Sequence, residues 1–82
     1  MVFYVYMLKA EQKKTLTYVG YTNDLSNRLK MHNNGKGAKF TRGRKWQLVY
    51  KEKFKSKKEA ISREYFIKKN RYFRKKIKDR YI

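Results

Sequence analysis

An 82-residue chain with 24 Lys and Arg against six Asp and Glu carries a formal net charge of +18, and it has the length of one small domain, 1–82, but not of two. That excess costs self-repulsion in the compact state and calls for a polyanionic partner, of which nucleic acid is the commonest; the absence of cysteine excludes a disulfide framework and a thiolate metal site. Fourteen aromatic residues argue against a disordered basic tail, because each can bury a large apolar area.

Val2 to Leu8 is apolar throughout and rich in β-branched and aromatic residues, as in a central strand covered on both faces. It is far shorter than the roughly 20 residues of a membrane span and lacks a basic leader, so a cytoplasmic protein without membrane contact is expected. Tyr4, Tyr6 and Leu8 share one face, and Phe3, Val5 and Met7 the other. Glu11 to Thr15 reads as a hairpin connection, and Leu16 to Thr22 as the returning strand, with Tyr18 and Gly20 on one face. Gly20 weakens a strand, so it implies close approach of a ligand or of a neighbouring backbone.

Asn23 is placed as the N-cap of a helix running from about Asp24 to Asn33, ended by Asn34-Gly35. Leu25 and Leu29 form its buried stripe. Arg28 and His32, four apart, project from one side of it, at the margin between core and solvent. Gly35 to Lys45 follows, with three glycines, five cations and no acid. It reads as a mobile basic loop suited to a phosphate backbone, through Lys36, Lys39, Arg42 and Arg44. It lacks the pattern of a P-loop.

Trp46 to Phe54 alternates as a half-buried strand, with Trp46, Leu48, Tyr50 and Phe54 on one face and Val49 and Glu52 as exceptions. Ser56-Lys57-Lys58-Glu59 matches a capping box, which starts a helix at Lys57. Glu64 falls on its apolar side, where a carboxylate is costly without a cation or a metal. Asn70 breaks this helix, and Arg71 to Arg80 forms a last one anchored by Phe73 and Ile77.

Taken singly, these residues have ordinary explanations. Strand tyrosines usually pack, an arginine on a helix is usually a surface cation, and Glu64 could pair with Arg63 or Lys68. Together they resemble the GIY-YIG nuclease superfamily, in its small single-domain type. Tyr4-Val5-Tyr6 stands at the first motif, without its glycine, and Tyr18-Val19-Gly20 at the second. Arg28, His32 and Glu64 match the helix positions that follow.

The resemblance implies an α/β (α+β) fold, a three-stranded antiparallel sheet flanked by helices in the order β-β-α-β-α-α. It implies Mg²⁺- or Mn²⁺-dependent hydrolysis of a DNA phosphodiester, with a single ion held by Glu64. Arg28 would grip the phosphate, while Tyr6 and Tyr18 position or deprotonate the attacking water with help from His32. Nearby cations would have to lower a tyrosine pKa of about 10 for that role. Gly20 and Asn70 join the loop cations as candidate substrate contacts. The expected protein is a monomeric endonuclease of DNA repair or processing, directed by DNA structure or by a protein partner. The alternatives are a non-catalytic DNA- or RNA-binding module on the same fold and a ribosome-associated basic protein.

Overall fold

The computed structural model describes residues 2–11 and 14–80. It contains β1 (Phe3–Ala10), β2 (Leu16–Thr22), α1 (Leu25–Asn33), a single 3₁₀ turn (Lys39–Thr41), β3 (Gln47–Phe54), α2 (Lys57–Lys69) and α3 (Arg71–Arg80). The expected element order therefore holds. Gln12 and Lys13 of the hairpin connection lie outside the described residues.

β1 is the central strand of an antiparallel sheet of order β2-β1-β3. Its apolar run is explained by burial on both sides. Val5 and Met7 pack with Val19, Val49, Ala60, Ile67 and Ile77 beneath α2 and α3. Tyr6, Leu8 and Ala10 pack with Trp46, and Leu25 and Leu29 of α1 cover them.

The expected single face of the third strand is corrected. Tyr50 lies opposite Met7 while Leu48 lies opposite Leu8, so the register slips by one residue between them. The slip is a β-bulge, and a bulge inverts the facing of everything beyond it. Trp46 and Leu48 thus join the α1 side, whereas Val49, Tyr50 and Phe54 join the α2/α3 side. The same inversion turns Glu52 inward to Arg63, whose Nε and Nη2 donate to its two carboxylate oxygens at 2.8 and 2.9 Å.

The caps position the helices. Asp24, not Asn23, caps α1: its Oδ1 accepts the Asn27 amide at 3.2 Å, and its own amide donates to Thr22 Oγ1 at 3.1 Å. A carboxylate at the cap satisfies an orphan amide and complements the helix dipole together. Ser56 caps α2 as expected, accepting from the Glu59 amide. Asn70 ends α2 and starts α3, because its Oδ1 accepts the Phe73 amide at 2.9 Å.

Candidate active site

A cleft of about 470 Å³ opens across the β2 edge. Tyr6, Tyr18, Gly20 and Arg28 line it from the α1 side. Phe3, Tyr21, Lys57 and Glu64 line it from the α2 side, and Thr22 and Asn23 close one end. Residues as distant as Tyr6 and Glu64 meet here because an edge strand lets both faces of the sheet reach one opening. Gly20 stands opposite Tyr6 in the β1–β2 ladder. A Cβ on Gly20 would lie 2.6 Å from the Tyr6 phenol oxygen, so the glycine is what lets that ring cross β2 toward the cleft.

Tyr6 is 1 % exposed, and its hydroxyl lies 2.8 Å from His32 Nε2. His32 is fully buried, not marginal as its helix angle suggested, because the following loop folds back over it. His32 Nδ1 lies 2.9 Å from Thr41 Oγ1, and Thr41 in turn donates to the Ala38 carbonyl at 2.8 Å. A carbonyl can only accept, so the one hydroxyl proton of Thr41 is committed. Nδ1–H must therefore donate to Thr41, and Nε2 of the neutral imidazole accepts the Tyr6 proton. Burial first, and then the charge of Arg28, lowers the His32 pKa and favours that neutral form.

Tyr6 does not behave as the sequence suggested. Burial pushes its pKa up to about 12, outweighing the Arg28 guanidinium that bonds it and pulls the other way. Arg28 acts in the direction a tyrosine base would require, but the loss of water around a buried phenolate is the larger effect. Hydrogen bonding to Tyr6, and more weakly to Tyr18, raises the pKa of Arg28 in turn. Tyr18 sits nearer solvent, with its ring centroid 5.0 Å from the His32 ring and stacked on Phe40 at 6.4 Å.

Glu64 reaches the cleft from α2 with its side chain 18 % exposed and Lys68 3.5 Å away. No cluster of three His, Cys, Asp or Glu exists among the described residues. A lone carboxylate on an open polar cleft is a poor site for zinc, but it fits Mg²⁺ or Mn²⁺, which keep several waters and share ligands with a phosphate.

The loop cations are placed elsewhere. None of Lys36, Lys39, Arg42 and Arg44 lines the cleft. The loop is also pinned where mobility was expected. Thr41 is fully buried, its carbonyl accepts Trp46 Nε1–H at 3.0 Å, and Arg44 donates to the Phe40 carbonyl at 2.7 Å. Asn70 does not line the cleft, and its oxygen is spent on the α3 cap. Lys57 was missed, although it lies seven residues before Glu64, two turns along the same face of α2. Thr41 was missed because nothing local marks it as the partner of a histidine nine residues away.

A sheet edge that gathers two phenols, a guanidinium and one acid belongs to a class of small nuclease-like α/β domains. The chain is a member of the family described as the GIY-YIG catalytic domain, which matches residues 2–78. It is 57 % identical over 67 residues to a UPF0213 protein of Clostridium perfringens, covering 80 % of this chain and 70 % of that one. It is 50 % identical over 80 residues to a UPF0213 protein of Bacillus pumilus, covering 96 % and 76 %. The solution NMR structure of the UPF0213 protein BH0048 from Bacillus halodurans superposes with a TM-score of 0.55 at 44 % identity, covering 93 % of this chain and 80 % of that one. No helix among the described residues is long and apolar enough to cross a membrane.

Proposed function

We propose that the protein is a metal-dependent DNA endonuclease in which Tyr6 relays a proton from the attacking water to His32. The observation that carries this reading is the position of the Tyr6 hydroxyl. It donates to a neutral, fully buried imidazole on one side and borders the cleft of Arg28 and Glu64 on the other.

The energetics favour a relay over a standing tyrosinate. Tyr6 is pushed up to about 12 and His32 is lowered from 6.5. Burial disfavours the ionised form of both groups, so an outright transfer that leaves Tyr6 and His32 both charged is opposed on each side. A phenol that takes the water proton as it gives up its own never carries full charge. The water oxygen then bonds to phosphorus, the bond to the leaving alkoxide breaks, and the water proton is accounted for on Tyr6 as the Tyr6 proton moves to His32. Arg28 holds the phosphate oxygens with its planar fork, and Tyr18 orients the water. Lys57 adds positive charge at the α2 wall. Glu64 would hold a single Mg²⁺ or Mn²⁺, which supplies charge neutralisation of the phosphate and the departing oxygen.

Incubation with branched, flapped and plain duplex DNA and Mg²⁺ or Mn²⁺ tests this reading. Cleavage by the wild type, lost in Glu64→Ala and Tyr6→Phe with DNA binding kept, is the expected result. No cleavage of any substrate by folded protein overturns it.

One observation favours a second reading, a non-catalytic nucleic-acid-binding module: the only cleft carboxylate among the described residues is already ion-paired with Lys68. Such a module would bind DNA or RNA in a salt-dependent way and leave every substrate intact.

A further inference from the structure

We propose that a duplex DNA strand entering the cleft continues along the β2 edge onto α3, with Arg71, Lys75 and Lys78 holding its phosphates. This inference rests on the nucleic-acid reading of the cleft. Two shallow grooves, about 290 and 250 Å³, run on from the active cleft, and neighbours share residues. Tyr18 borders both the cleft and the first groove; Thr17 and Arg74 border both the first and the second. The path is thus continuous from the candidate reaction centre to the outer face of α3.

Every charged residue described on its lining is a cation. Lys68 and Arg74 flank the first groove, and Arg71, Arg74, Lys75 and Lys78 flank the second, with no acid among the described residues of either. The one acid of α3, Asp79, borders a different depression, on the Tyr50 side. Residues 71, 75 and 78 are spaced i, i+4, i+7, which aligns them in one row. At 1.5 Å per residue the row is roughly 10 Å long, about three phosphates of one strand at 3.4 Å of duplex axis each.

Arg74 has a separate duty. It donates to the Ile67 carbonyl at 2.8 Å and to the Lys68 carbonyl, fastening α3 to the end of α2. Arg71, Lys75 and Lys78 therefore supply the row while Arg74 sets its angle to the cleft. The glycine-rich loop, equally basic in sequence, borders none of these three grooves.

Two triple variants that remove equal charge provide the test: Arg71→Gln/Lys75→Gln/Lys78→Gln on α3 and Lys36→Gln/Lys39→Gln/Arg42→Gln on the loop. Binding to duplex DNA is measured without divalent metal over a range of salt, after circular dichroism shows each variant folded. Three lost contacts should reduce the salt slope by about 2.7 and weaken binding about 100-fold or more at 0.1 M salt in the α3 variant. The loop variant should change several-fold at most. Equal losses in both variants, wild-type binding by the α3 variant, or no duplex binding by the wild type each overturns the α3 track. Cleavage, assayed separately, reports on the nuclease reading: a wild type that binds through α3 yet cuts nothing keeps the track and removes the catalysis.

Discussion

Gly37 lies against the edge of the His32 imidazole, so closely that a Cβ there would sit 2.4 Å from Nδ1. The ring cannot yield, because Tyr6 and Thr41 hold its two nitrogens. Gly37→Ala must therefore push His32 off Tyr6 or push the loop outward. We expect a stability loss of about 1–3 kcal/mol, the usual cost of overpacking a filled site. Cleavage should fall at least tenfold while DNA binding persists. Thermal melting, the His32 ring NMR shifts and single-turnover cleavage together check this, and a variant whose His32 is displaced from Tyr6 yet cleaves at the wild-type rate would refute the proton path through His32.

The same pair sets a pH dependence. His32 has a folded pKa below 6.5, so its contribution to stability is complete above pH 6.5. That contribution is lost as pH falls from 6.5 through the folded pKa, because the unfolded chain takes up the proton first. Tyr6, pushed up to about 12, behaves in the opposite sense: its contribution is complete below pH 10 and is lost as pH rises from 10 toward 12. Cleavage should decline on the acid side below pH 6.5, since a protonated Nε2 cannot accept from Tyr6. His32→Gln should remove that acid limb along with most of the rate. A pH–rate profile from 5 to 9 for both proteins checks the assignment.

Much of this was legible in the chain because it depends on short-range patterns. The unbroken apolar run of β1 announced a central strand, and Ser56 with Glu59 announced the start of α2. Gly20 announced a close approach, and the structure supplies the object: the Tyr6 ring. What stayed hidden depends on register and on distant contacts. A single bulge at β3 moved Tyr50 and Phe54 to the opposite side from Leu48, which alternation alone does not reveal. Burial of His32 comes from Thr41 and Gly37 closing over it, and a helical wheel of α1 sees only α1. The loop's charge suggested a binding role. Its hydrogen bonds to Trp46 and His32, which depend on Thr41, left no mark in that charge pattern.

Metal removal should separate chemistry from folding. Glu64 is the one acid lining the cleft among the described residues, and no three His, Cys, Asp or Glu among them are grouped to hold a structural metal. Chelation with EDTA should abolish cleavage and leave the melting temperature within about 1 °C, in contrast to structural metal sites whose loss unfolds the domain. Restoring Mg²⁺ or Mn²⁺ should restore cleavage in the wild type but not in Glu64→Ala. A large fall in melting temperature on chelation would contradict a site made of one carboxylate.

Stability should depend instead on the inward carboxylate of β3. Glu52 has a side chain 19 % exposed and accepts from both Nε and Nη2 of Arg63, while Tyr50 donates its hydroxyl to the same carboxylate. The Arg63 plane also lies over the Phe66 and Phe73 rings at 4.8 and 5.2 Å, joining β3 to both α2 and α3. Although burial opposes ionisation, hydrogen bonds from Arg63 and Tyr50 outweigh it and hold the Glu52 pKa below its ordinary value. Arg63→Ala removes the bidentate partner and leaves a half-buried charge facing Tyr50. We expect a loss of about 1–3 kcal/mol, the cost of stranding a polar group. For a domain of this size that lowers the melting temperature by at least about 4 °C. The double variant Glu52→Gln/Arg63→Met should recover part of the loss, because it removes the stranded charge and refills the space above Phe73. Neither change touches the cleft, so cleavage measured well below the melting temperature should stay within twofold of wild type.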